Sequence, residues 1–150
     1  MKRKKIILWV IALILVAGAG GGYYAYKEYN RKQKDTADLK ADFTASAVAL
    51  LEEFQKDEKA ANTKYNGKVL KVDGLVKDLI PDDKGVYTVV LGDTASMSSV
   101  RFSMDSVHNA AAASLQKGSK TTLKGICTGY NADEMLGSDL ILNRAVIEKN

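Results

Sequence analysis

Of 150 residues, one is cysteine, one proline, one histidine and one tryptophan, and no acidic side chain occurs before Glu28. Each scarcity removes a class of explanation. The single thiol, Cys127, cannot close an intrachain disulfide, so no disulfide framework holds the fold. One histidine and one cysteine fall short of the three or four ligands zinc takes, unless carboxylates help. Asp133, Glu134 and Asp139 lie in one stretch, but their spacing matches no EF-hand loop and is read as a solvated turn. No GxxxxGK[ST] phosphate loop occurs, and Gly18, Gly20, Gly21 and Gly22 lie inside a hydrophobic run instead of following a strand. No cofactor and no metal are expected.

The missing early acids decide what the net charge means. The chain has 22 basic and 18 acidic side chains, a net of +4. Lys2, Arg3, Lys4 and Lys5 account for all of it, leaving 18 of each sign from residue 6 onward. Affinity for a phosphate backbone comes from clustered Lys and Arg that release counterions. An evenly charged body has no such overall field, so nucleic acid is not the partner this composition favours.

Behind the basic cluster, Ile6–Tyr26 is 21 residues without a charge. At a rise of about 1.5 Å per residue, roughly 20 residues cross the hydrocarbon layer. The expectation is a basic cytoplasmic tail over 1–5, a single-pass anchor over 6–26 in the cytoplasmic membrane, and the remainder outside. Tyr23, Tyr24 and Tyr26 sit where the helix should emerge, at a depth that suits amphipathic rings. The alternative is a signal peptide cleaved after Ala17-Gly18-Ala19. Either one exports the remainder of the chain. No cysteine lies near residue 20 to accept a lipoprotein's lipid.

Residues 27–36 are polar and read as a linker. Over 37–63, Leu39, Phe43, Ala47, Leu50, Leu51 and Phe54 recur at three and four residues, the spacing of an amphipathic helix that docks on the domain after it. After Asn66-Gly67 the period changes to two. Leu70, Val72, Val76 and Ile80 alternate with Lys71, Asp73 and Lys77, and Gly74 is the expected bulge or bend. Pro81 to Gly85 is a turn. VYTVVLG and SVRFSM are the second and third strands, DSVHNAAAASLQKG a helix, and KTTLKGICTGY and SDLILNRAVIE the fourth and fifth strands. Helix, three strands, short helix and two strands make a mainly β chain. Residues 65–149 are expected to form a five-stranded Greek-key barrel of the OB type.

The stretches YNGKVLKVDGLVKDL, VVLGD, SVRF, LQKGSKTTLKGICTGY and LILNRAVIE together resemble the tRNA_anti-like family of OB-fold proteins. These are small bacterial exported or membrane-anchored proteins, and the resemblance runs from Ala47 to Glu148. It implies the barrel and the anchored arrangement, and it supplies no catalytic residue. Some relatives carry a second cysteine near the position of Ala145; this chain lacks it.

Cys127 alternates with Leu123 and Gly125 against Thr122, Lys124 and Thr128, which turns its thiol toward the core as a small inert hydrophobe. The catalytic rival is a sortase-like transpeptidase using His108, Cys127 and Arg144, with TTLKGIC resembling a sortase's TLxTC strand. The 19 residues between His108 and Cys127 are far fewer than sortases have, and the barrel is too small. OB barrels commonly hold ligands across strands two and three. The candidate ligand face there is Thr88, Ser99, Arg101 and Ser103, with Lys71 on the strand before. The functional expectation is a non-enzymatic, membrane-anchored binding module that meets an envelope protein or a small ligand. A single-strand nucleic-acid binder is the alternative.

Overall fold

A computed structural model describes residues 2–30 and 34–148, with only the backbone of Lys2, Arg3 and Lys4, in two compact units, Met1–Lys34 and Asp35–Asn150. Met1 of the expected tail, residues 31–33 of the expected linker and Lys149 at the expected end of the barrel lie outside the described residues.

The first unit is helix α1, Lys2–Tyr29. Within Lys5–Tyr29 an 18-residue segment has a mean hydropathy of 2.2, and the stretch is long and apolar enough to cross a membrane. The helix takes in residues 2–5 and 27–29, so the expected tail and the start of the expected linker continue it. Three consecutive glycines, Gly20–Gly22, lie inside it. Glycine costs about 1 kcal/mol per site in an aqueous helix, but hydrocarbon offers the backbone no other hydrogen-bond partner.

The second unit begins with a single 3-10 turn, Thr36–Asp38, where Asp35 accepts a hydrogen bond from the Ala37 amide. Strand β1 (Phe43–Ser46), helices α2 (Ala47–Lys56) and α3 (Glu58–Tyr65) and strand β2 (Val69–Pro81) follow. Then come β3 (Tyr87–Leu91), β4 (Ser99–Met104), α4 (Asn109–Ala112), β5 (Lys120–Asn131) and β6 (Asp139–Ile147). Two helix expectations need correcting. The 37–63 helix exists only from Ala47 onward and is broken at Asp57. Leu39 and Phe43 keep helical spacing, but Phe43–Ser46 pairs in parallel with Leu70–Asp73, and Asp42 takes the Val69 amide on its carboxylate at 2.8 Å. Strand pairing there overrides the local period. Ser46 then caps α2 by accepting from Ala49, and Asp57 caps α3 by accepting from Ala60. The helix expected over 105–118 shrinks to one turn. Asn109 instead bridges to the β2–β3 turn, accepting from the Tyr87 amide and donating to Gly85 O.

The sheet runs β2-β3-β4-β6-β5 and closes through β5 back onto β2, with β4 and β6 parallel. This is the expected five-stranded OB-type barrel, with β1 added along β2 as a sixth strand. Its first strand serves two neighbours, since Val69–Leu75 pairs with β5 and Val76–Pro81 with β3. The bulge falls between Val76 and Asp78, not at Gly74. A Cβ on Gly74 would stand 3.1 Å from the Ala47 Cβ, so that glycine admits the start of α2. The bulge also inverts the alternation. Val72 and Val76 point inward, but beyond it Leu79 packs on the core while Ile80, expected inside, is 40% exposed.

The core is Leu70, Val72, Val76, Val89, Leu91, Val100, Phe102, Leu123, Cys127, Leu140 and Leu142 from the barrel, joined by Leu50, Leu51 and Phe54 from α2. Phe54 stacks on Tyr130 at 4.8 Å and on Tyr65 at 5.8 Å. Burying such a side chain is worth about 1.5–3 kcal/mol, which attaches both helices to the barrel.

Candidate ligand-binding face

The outward side chains of β3 and β4 follow from the alternation. Val100, Phe102 and Met104 are buried, so Ser99, Arg101 and Ser103 point the other way. Thr88 lies directly opposite Ser103, and Val90 opposite Arg101. Asp78 and Ile80 of β2 flank this face on one side, and Asp139 and Ile141 of β6 on the other. The fold therefore gathers four of the five expected residues onto one side of the sheet, where Thr88, Arg101 and Ser103 reach solvent and Ser99 is buried. Lys71 lies elsewhere, between Thr44 of β1 and Lys124 of β5.

Most of the polar groups on this face already have partners. Arg101 Nε donates to Asp139 Oδ2 at 2.7 Å, which offsets its charge. Ser99 is 5% exposed, and its hydroxyl accepts from Lys77 Nζ at 3.1 Å. The Lys77 ammonium also donates to Ser96 O at 2.6 Å and Ser98 O at 3.0 Å, and burial pushes its pKa down. Lys77 thus anchors the β3–β4 loop. Alternation gave its direction, but the loop that folds back over it leaves no mark in the sequence. Lys117 Nζ sits 2.7 Å from Asp78, and its hydrogen bond holds that carboxyl below the ordinary range. What remains open is Thr88, Ser103, Ile80 and Ile141. The aromatic residues of these strands, Tyr87 and Phe102, pack on the core.

His108, Arg144 and Cys127 do not converge as a nucleophile with its base. Cys127 is fully buried, and desolvation raises its pKa, the opposite of what a thiolate nucleophile requires. His108 Nε2 lies 2.7 Å from Asp35 Oδ2, while Arg144 lies 3.9 Å from Asp105 and adds its attraction to Asp35. Arg144 has φ of 54° at the bulge between β4 and β6, an uncommon conformation for a side chain of that size. The histidine and the arginine both serve the carboxylate that opens the second unit. In the acidic loop, Asp133 accepts from the amides of Met135 and Leu136, which lowers its pKa. It shapes a turn.

Thr36–Leu39 crosses the outside of β5 and β6. Beneath it Lys124, only 6% exposed, donates to Ala37 O at 2.9 Å and meets Glu148 at 2.7 Å. Sequence alternation places Lys124 outside the barrel and gives no sign of this cover.

The tRNA_anti-like family model matches residues 1–141, so the hydrophobic segment lies within the matched region, although the resemblance legible in sequence begins at Ala47. Among solved structures, a candidate nucleic acid-binding lipoprotein from Klebsiella pneumoniae superposes with a TM-score of 0.56 at 22% identity, over 79% of this chain and 100% of that one. The asparaginyl-tRNA synthetase of Entamoeba histolytica gives 0.42 at 13% identity, over 55% of this chain and 21% of the enzyme. The aspartyl-tRNA synthetase of the same organism gives 0.44 at 8%, over 79% and 23%. The chain spans less than a quarter of either synthetase. At 22% identity the likeness to the Klebsiella protein is one of fold. No curated protein matches.

Proposed function

The chain belongs to the tRNA_anti-like family, and from that premise we propose that it is a membrane-anchored binding module, displayed outside the cytoplasmic membrane and without catalytic activity of its own. The observation that carries the reading is the state of the β3–β4 face. Thr88 and Ser103 are adjacent there, Ile80 and Ile141 flank them, and the one outward arginine is neutralised by Asp139. Such a surface suits a largely uncharged polar ligand or a protein partner of the envelope. It suits a polyanion poorly. Single-strand binding draws on stacking aromatics and a basic groove, whereas Tyr87 and Phe102 are turned to the core and the second unit, Asp35–Asn150, carries 14 basic against 17 acidic side chains. Against the sortase-like rival stands the burial of Cys127 in the core, where desolvation also raises its pKa, the reverse of what an activated thiolate needs.

The Klebsiella protein's description as nucleic acid-binding keeps nucleic-acid binding as the second reading. A salt titration decides between them. The full chain in nanodiscs of zwitterionic lipid is titrated with fluorescent single-stranded DNA and RNA. Flat, unsaturable binding at low salt is the expected result. Saturable binding that falls steeply with salt and weakens in Arg101→Ala would overturn the proposal in favour of nucleic acid.

A further inference from the structure

Away from the β3–β4 face, a groove runs between α2 and the β3–β4 loop. Val48, Leu51, Glu52 and Gln55 line it from the helix, and Asp93, Ser96 and Ser98 from the loop, around about 200 Å³. Positions 48, 51, 52 and 55 share one helical face. A second hollow of about 240 Å³ adjoins it through Val48 and Asp93, and is also lined by Asp73, Gly74, Leu75 and Gly92. Each volume lies below the roughly 300 Å³ at which small-molecule pockets begin. Each therefore suits a single side chain better than a whole metabolite.

The walls are held in place. Lys77 ties down the loop through Ser96 O and Ser98 O, and Gln55 Nε2 donates to Ser98 Oγ at 3.1 Å, joining helix to loop. Apolar surface stays open between them, with Val48 45% and Leu75 42% exposed. Every charged side chain lining either hollow is a carboxylate: Glu52, Asp73 and Asp93. Two of the three have a local task. Asp93 caps the Ala95 amide, and Asp73 lies 4.0 Å from Lys120. Glu52 has no hydrogen-bond or ion-pair partner among the described residues, although it stands on the groove wall.

We propose that this groove docks a basic, partly apolar peptide segment of a partner protein, with an aliphatic side chain on Val48 and Leu75 and a lysine or arginine between Glu52 and Asp93. Charge complementarity selects that occupant. The lining itself holds three carboxylates and no lysine or arginine. The nearby ammonium groups, Lys77 on Ser96 O and Ser98 O and Lys120 at 4.0 Å from Asp73, already have partners. A lipid phosphate or a nucleic acid therefore fits it poorly. The proposal is independent of the ligand assigned to the β3–β4 face.

The test uses the full chain in zwitterionic nanodiscs, with empty nanodiscs as the blank, and a fluorescent hexapeptide of alternating leucine and lysine. Peptides of leucine and glutamate and of glycine and lysine are the comparators. The leucine–lysine peptide is expected to bind saturably and more weakly as salt rises. Glu52→Gln should weaken it by about threefold to fivefold, and Val48→Lys, at an exposed helix position, should abolish it. Unsaturable binding, equal binding of the leucine–glutamate peptide, or full retention in both variants would each overturn the proposal. Binding of the glycine–lysine peptide at equal strength would overturn the apolar subsite. Arg101→Ala leaves this binding unchanged, so the outcome is separate from that of the oligonucleotide titration.

Discussion

Two glycines flank Cys127 in KGICTGY, and they answer to different constraints. A Cβ on Gly125 would lie 3.1 Å from the Leu142 Cβ and 3.4 Å from the Phe102 ring, both fully buried. A Cβ on Gly129 would meet nothing within 4 Å. The β5–β6 register slips twice here, between Lys124 and Ile126 and between Cys127 and Gly129, so β5 bends sharply around the thiol. Gly125 is the point where the bend presses the strand onto the core. Gly125→Ala should destabilise the fold by about 1–3 kcal/mol, the usual cost of overpacking. Gly129→Ala should change stability by no more than about 0.5 kcal/mol. Chemical denaturation of both variants checks this; equal effects would mean that the packing around Leu142 yields more easily than its burial implies.

At the scale of elements, the strap that opens the second unit hangs on charge. Asp35 is held by the Ala37 amide and His108, and Lys124, under the strap, by Ala37 O and Glu148. The Ala37 hydrogen bond lowers the pKa of Asp35, and the Lys124 hydrogen bond lowers that of Glu148. A lowered folded-state pKa contributes stability that is fully present above the unfolded value and is lost as pH falls through the folded value. The strap should therefore hold above about pH 4.5, the ordinary glutamate value, and loosen progressively below it. Hydrogen exchange at the Asp38 and Leu39 amides, bonded to Asp35 O and Thr36 O, reads this directly once corrected for intrinsic rates. Glu148→Gln should reproduce part of the loosening at neutral pH, and protection that stays constant down to pH 3 would show that apolar burial alone holds the strap. This element also marks how far the sequence could be read. Strict alternation exposed β3, β4, β5 and β6, because one face of each strand must enter a core that tolerates few polar groups. It lost phase at β2, where the bulge after Val76 reversed Leu79 and Ile80. Leu39 and Phe43 had the spacing of a helix, and only contact with Leu70, 27 positions beyond Phe43, makes that stretch extended. Thr88, Ser99, Arg101 and Ser103 were legible as one face for the same reason as the strands. Lys124 and the groove beside Glu52 were not, since they arise from segments far apart in the chain.

At the scale of the whole molecule, charge is distributed by position and not by amount. From Asp35 onward the chain carries 14 basic and 17 acidic side chains, so by the positive-inside rule only the flanks of α1 can set the proposed orientation. By count the flanks are even: Lys2, Arg3, Lys4 and Lys5 precede the uncharged stretch, and Lys27, Arg31, Lys32 and Lys34 follow it. Acidic neighbours contribute little to this rule, so Glu28 does not break the tie. What distinguishes the two sides is compactness. The first cluster abuts Ile6 without a gap, whereas the second spreads over eight positions. An orientation held by so small a margin is sensitive, and that makes it testable. In a Val107→Cys variant the new thiol stands on a residue 78% exposed, while Cys127 is buried with a raised pKa and stays silent. A membrane-impermeant maleimide should label this variant in intact spheroplasts. Adding Lys2→Gln, Arg3→Gln, Lys4→Gln and Lys5→Gln leaves all the basic residues on the far flank, and labelling should then fall until the cells are lysed. If the unaltered flank already requires lysis, display outside the membrane is wrong, and the binding module works on the cytoplasmic side.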